Sequence, residues 1–210
     1  MRVTTRGEPG NGMASFAAIA AAGASIERYL TAAFTQAQPI DGRNTRAVLA
    51  TTTDFEEGGV ASLIAAPAVS VFLYRVDFNK TMRAAWSAVG SYEGRGRLPL
   101  DLHYLLTAWA DNAEHEQRIL GRALQALETT PMLAGPLLHP SGGWAPNECV
   151  QLGLEDVPTE ALMRTFDSLP VKYRLSVPYV ARIVRIDSLV ARPDVPVATV
   201  IVGATASPEV

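Results

Sequence analysis

The stretch from Leu98 to Thr130, LPLDLHYLLTAWADNAEHEQRILGRALQALETT, changes its hydrophobic period once, and that change constrains the fold more than any other feature. Leu98, Leu100, Leu102, Tyr104, Leu106 and Ala108 alternate with Asp101, His103, Leu105, Thr107 and Trp109, the period-two pattern of a strand whose successive side chains point to opposite faces. Beyond Asn112 the apolar residues Ile119, Leu120, Ala123, Leu124 and Leu127 recur at three- and four-residue steps, which predicts an amphipathic helix ending before Pro131. Asp111 or Asn112 is placed to cap that helix, and Glu114 and Glu116 fall in its first turn, where the helix dipole favours acids.

The rest of the chain supplies more strands and helices without a regular βαβ alternation. A helix is expected from Met13 to Ala37, with Ile19, Ile26, Tyr29, Leu30 and Ala33 on its buried face. The segments RAVLATTT, residues 69–78 (VSVFLYRVDF), ECVQLGLE and KYRLSVPYVARIVRIDSLV read as strands, the second central because both its faces are apolar. On that strand Phe72, Tyr74, Val76 and Phe78 are expected to share one face. Pro178 interrupts the last strand and predicts a bulge or an edge, because proline has no N–H for the ladder. Thr159 is expected to cap a short helix that turns Leu162, Met163 and Phe166 inward, and residues 133–147 to form an exposed loop. The fold class is therefore a single α+β domain over residues 13–190, with a mixed or antiparallel sheet packed by two long helices. Residues 1–12 read as a flexible extension and residues 191–210 as a tail with one further strand, VATVIV.

Composition excludes several function classes. A formal net charge of −3 gives no field for binding nucleic acid. The apolar run FAAIAAAGAS is too rich in alanine for a secretory signal core, and no run approaches the roughly 18 residues of a membrane span, so a cytoplasmic protein is expected. The lone Cys149 cannot form an intramolecular disulfide, and its neighbours are acidic, which opposes a reactive thiolate.

Asp101 and His103 share a strand face and make the best candidate for chemistry, as in a small hydrolase-like enzyme. A nucleophile setting such as G-x-S-x-G is missing from the sequence, and the three histidines, His103, His115 and His139, lack metal-ligand spacing. The pair reads instead as the outer face of a half-buried strand, open to water or to a neighbouring subunit. The expectation is a protein without catalytic residues, metal or cofactor. Trp109 and Trp144 stand where an aromatic is more exposed than a core requires, as anchors for a partner do.

LPLDLHYLLTAWADNAEHEQRILGRALQALETTPML, followed by KYRLSVPYVARIVRID, resembles the N-terminal domain of cap, or tail-terminator, proteins of bacterial contractile injection systems, which are phage-tail-like particles. The resemblance extends upstream through VSVFLYRVDFN to the first helix. It implies a structural role: a homo-hexameric ring on the distal end of the inner tube, with the tube and sheath proteins of the particle as partners and no cofactor, nucleic acid or membrane. A stand-alone protein-binding module is the other non-enzymatic alternative. No contact residue carries over from the family, so the interface candidates rest on position: Trp144 in its loop, Pro178, and Val197, Val200 and Val202 in the tail.

Overall fold

The computed structural model describes residues 15–56, 64–83 and 94–191. The elements follow in the order α1 (Ala18–Gln36), β1 (Arg46–Ala50), β2 (Ala68–Phe78), the one-turn helix α2 (Lys80–Arg83), β3 (Arg95–Trp109), α3 (Ala113–Thr129), β4 (Met132–Ala134), β5 (Cys149–Leu154), α4 (Thr159–Asp167) and β6 (Ser176–Ala191). The strands form one sheet in the order β1-β2-β3-β6-β5-β4. β1 runs parallel to β2 and every other neighbouring pair is antiparallel, so the sheet is mixed. The expected class, an α+β domain packed by two long helices, is the observed one. Residues 1–12 and the VATVIV segment lie outside the described residues.

α1 and α3 cover one face. Ala18, Ala22, Ile26, Leu30 and Phe34 of α1 and Ile119, Ala123, Ala126 and Leu127 of α3 meet Val69, Val71, Leu102, Tyr104 and Leu106. Small residues let α1 lie close to the sheet: a Cβ on Gly23 would stand 2.9 Å from Leu49 Cδ1 and 3.3 Å from the Tyr104 hydroxyl. The alanine run that imitates a signal sequence is thus the packing face of a helix. Tyr29 donates its hydroxyl to the Ala126 carbonyl at 2.8 Å, and Arg122 donates to the Ala33 carbonyl at 2.9 Å, pinning the two helices together. Asn112 caps α3 by accepting from the His115 amide at 2.8 Å, as one of the two expected caps.

Tyr104 is 1% exposed, and its hydroxyl has no hydrogen-bond partner among the described residues. Burial pushes its phenol pKa up. A buried hydroxyl without a partner costs more than it contributes, so Tyr104→Phe is expected to raise stability by about 1 kcal/mol, read as a higher urea midpoint at an unchanged m-value.

The second face is where the structure departs from the sequence reading. Ala50, Phe55, Leu105, Phe166, Leu169 and Val171 form a smaller core there, joined by Phe72, Tyr74 and Trp109. β3 is consequently buried on both sides from Leu102 to Ala108, and His103 is 3% exposed instead of facing solvent. Trp109 belongs to this core: its indole N–H donates to Ser70 Oγ at 2.9 Å and Arg174 lies 4.5 Å over its ring. α4 supplies the cover, but Met163 is 41% exposed and Pro158, not Thr159, is the N-cap. A helix of this length resting at one end of a sheet buries only its Phe166 side.

Register breaks account for a second departure. Leu73 pairs with Tyr104 and Arg75 with His103, so Tyr74 is an extra residue in β2. A bulge of one residue exchanges the faces of everything beyond it. Val76 and Phe78 therefore leave the face of Phe72 and lie opposite Leu102 and Leu100, while Arg75 and Asp77 lie opposite His103 and Asp101.

Candidate functional site

At the outer end of the sheet the bulge in β2 gathers charge that the primary structure scatters. His103 Nδ1 donates to Glu155 Oε2 at 2.7 Å, and its Nε2 lies 3.3 Å from Asp77 Oδ2. Arg75 bridges the two acids, with Nε 3.0 Å from Asp77 and Nη2 3.0 Å from Glu155. Tyr74 adds a hydroxyl to Glu155 Oε2 at 3.2 Å. Burial, and then the Glu155 charge, push the Tyr74 phenol pKa up to about 12. β5 delivers Glu155 just past its last residue, where the Glu155 amide donates to the Pro178 carbonyl at 3.1 Å.

Asp101 and His103 share this face but do not form a dyad. Asn79 donates to both Asp101 oxygens at 3.1 and 3.2 Å, and Arg182 Nε lies 3.5 Å from Asp101 Oδ2. The cleft above them, about 680 Å³, is lined by Lys80 and by Arg75, Asp77, Asp101, His103, Glu155 and Arg182, the last six of which are engaged in ion pairs. The partners of the His103 ring nitrogens are Arg75, Asp77 and Glu155. A nucleophile-activating base needs a hydroxyl or thiol on one of those nitrogens, and here charge contacts engage both. Among the described residues no three His, Cys, Asp or Glu side chains converge as a metal site. No described helix is long and apolar enough to cross a membrane.

Sequence reasoning missed Glu155, Arg75 and Asp77. The signal available was the alternation of ECVQLGLE, which sets Gln151, Gly153 and Glu155 on one face of β5. It identifies no partner until the strand order places β5 beside β6.

The interface candidates fall in different settings. Trp144 is half-buried: its indole N–H donates to the His139 carbonyl at 2.8 Å and its ring packs on the main core. Its segment is mostly exposed, as expected, but it is built of short structured pieces instead of plain loop. Residues 133–147 contain β4 and two 3₁₀ turns, and they are tied to α1 by Arg28, which donates to the Pro136 carbonyl at 2.7 Å, and by Ser25 Oγ, which accepts from the His139 amide at 2.7 Å. Pro178 pairs with Leu105 of β3, and β5 begins to pair one residue later, at Tyr179. The Pro178 carbonyl accepts from the Glu155 amide, so the chain leaving β5 still covers β6 here and Pro178 is neither a bulge nor an open edge; the register breaks of β6 lie further on, between the partners of Leu102 and Leu100 and between those of Arg97 and Arg95. Val197, Val200 and Val202 lie outside the described residues.

The outer half of the sheet narrows to a ribbon. β1 pairs with β2 only as far as Phe72, and β5 pairs with β6 only as far as Arg182. Beyond these points β2, β3 and β6 continue together, and the ribbon carries Val76 and Phe78, 44% and 53% exposed, and Leu189 and Val190, 86% and 69% exposed.

Among curated proteins, none matches the chain. A solved structure with the same fold is the sheath/tube terminator, in the extended state, of the extracellular contractile injection system PVC, determined by electron cryo-microscopy. The two share 22% identity with a TM-score of 0.50, over 89% of this chain and 65% of the other, so the chain spans about two thirds of that terminator's length. The model of the Pvc16 N-terminal domain matches residues 22–199, nearly the whole sheet and both long helices, and the chain belongs to that family.

Proposed function

We propose that this protein is a structural terminator of a contractile injection system. It would assemble as a homo-hexameric ring on the distal end of the inner tube, contact the last layer of sheath and stop both polymers from growing. The observation that carries this reading is the Pvc16 N-terminal domain match over residues 22–199, and the fold shared with a sheath/tube terminator supports it. The charges around His103 pair with one another and hold β2, β3 and the end of β5 together, which suits a structural role.

A cyclic ring is built from two different patches of each subunit, and a terminator differs from the polymer it ends by offering only one matching face. On this reading the work of the protein is recognition of tube and sheath, without catalysis or cofactor, and assembly takes place in the cytoplasm. Trp144 and its segment, the strand at Pro178 and the tail at Val197, Val200 and Val202 are the contacts proposed for partners. Mixing the purified chain with its tube protein is expected to give tubes carrying a six-fold ring at one end by electron microscopy. A strict monomer that binds neither tube nor sheath protein would overturn the reading.

A further inference from the structure

The outer ribbon has two open flanks. Among the described residues β2 has no strand partner on its outer side from Leu73 to Phe78. On the opposite flank Arg185 reaches Glu148, ahead of β5, at 3.0 Å, so among the described residues β6 has no strand on its outer side from Ile186 to Ala191; within that stretch its register against β3 breaks between Asp187 and Ala191, and Ser188 Oγ bonds both the amide and the carbonyl of Val190. Both β2 and β6 are antiparallel to β3 and hence parallel to each other. Open strand edges are templates for further pairing, and edges kept apart are commonly blunted with lysine or proline. Neither stretch contains either residue; each instead carries exposed apolar side chains, Val76 and Phe78 on one and Leu189 and Val190 on the other.

We infer that copies of this chain join by continuing the sheet, the outer edge of β2 in one copy pairing in parallel with the Ile186–Ala191 edge of β6 in the next. This rests on the ring reading above and names its contact. A ring needs two different patches that face away from one another and keep the same strand direction around the axis, and these two edges meet that condition. A second copy fills both edges with one contact, whereas the chain's own tail would fill only that of β6.

Charge selects the register. Arg75 and Asp77 on β2, and Arg185 and Asp187 on β6, repeat the same Arg-x-Asp spacing. Aligning the two repeats sets like charges side by side, which disfavours pairing. Shifting by two residues sets Arg75 beside Asp187, Val76 beside Ser188 and Phe78 beside Val190. Arg75 is half-exposed, and reaching Asp187 of the next copy exchanges its contacts to Asp77 and Glu155 for a new one. Asp187, 7% exposed, is paired with Arg185 at 2.8 Å and Arg97 at 4.0 Å, and among the described residues its Oδ1 has no aligned hydrogen bond.

Neighbouring strands hold their Cα atoms about 5 Å apart, within the span of a disulfide. The test is the full chain carrying Val76→Cys and Ser188→Cys in a Cys149→Ala background, oxidised under native conditions and run on non-reducing denaturing gels. A ladder of covalent multimers is expected, with no ladder from either single variant. Phe78→Cys with Val190→Cys repeats the measurement should the first pair fold poorly. A double variant that stays monomeric on the gel while native mass spectrometry finds a ring overturns the contact and leaves the ring. An intrachain disulfide between Ser188→Cys and Val200→Cys, detected by peptide mapping, puts the tail on the β6 edge and also overturns the contact. A wild-type chain that stays monomeric by native mass, alone and with tube protein, removes the ring reading and this contact together.

Discussion

His103→Ala is expected to lower stability by about 3 kcal/mol, a fall of roughly 6–12 °C in melting temperature for a domain of this size. The imidazole is 4% exposed and is the shortest contact of Glu155, whose side chain is itself only 16% exposed. Removing it leaves a void between β2, β3 and the end of β5, and it strips a buried carboxylate of its 2.7 Å partner. Arg75 and Tyr74 still reach Glu155, which keeps the loss below that of a fully orphaned charge. Asp77→Asn supplies the contrast: Asp77 and Arg75 are each about half-exposed, and solvent-screened pairs contribute about 0.5 kcal/mol. A double-mutant cycle of His103→Ala with Glu155→Gln is expected to show coupling of about 1–2 kcal/mol. The measurement also separates the structural reading from the enzymatic one. A catalytic base would be lost with little change in melting temperature; a large destabilisation places His103 in the scaffold that holds the outer ribbon to the sheet.

The residues that made the fold legible were those whose pattern is local. β3 and α3 could be read from Leu98 to Leu127 because strand and helix periods are written in consecutive side chains, and Asn112 stands where a cap must stand. The family resemblance rested on the same junction. What escaped was set by distant parts of the chain. The bulge at Tyr74 leaves no mark on VSVFLYRVDF, whose alternation reads smoothly, yet it moves Val76 and Phe78 across the sheet. The burial of His103 depends on Glu155, 52 residues away, and on α4 and Phe55 closing a second core. Residues 133–147 read as open because glycine and proline are frequent there. Their order comes from α1, more than a hundred residues earlier, through Ser25 and Arg28.

Trp144→Ala is expected to cost about 2 kcal/mol in the isolated chain, less than the 3–5 kcal/mol of a fully buried tryptophan because part of the ring is open to solvent. The ring packs against the main core, its N–H satisfies the His139 carbonyl, and a Cβ on Gly142 would lie inside the contact radius of three of its atoms. Gly142→Ala is therefore expected to displace the same ring and to lower stability in the same direction, by about 1–3 kcal/mol. If Trp144 also anchors a partner, the two variants part company in the assembled state. Gly142→Ala keeps an indole that can be pressed back into place by binding, so its capping of tubes recovers as tube protein is added. Trp144→Ala has no indole to recover, and its capping stays weak at every concentration. Equal loss and equal recovery in the two variants would assign the residue wholly to its own domain. Thermal melts of the free chain and ring counts on tube ends by electron microscopy measure the two effects separately, because the first reports only the packing of the segment against α1 and the second adds whatever the exposed edge of the ring contributes to a partner.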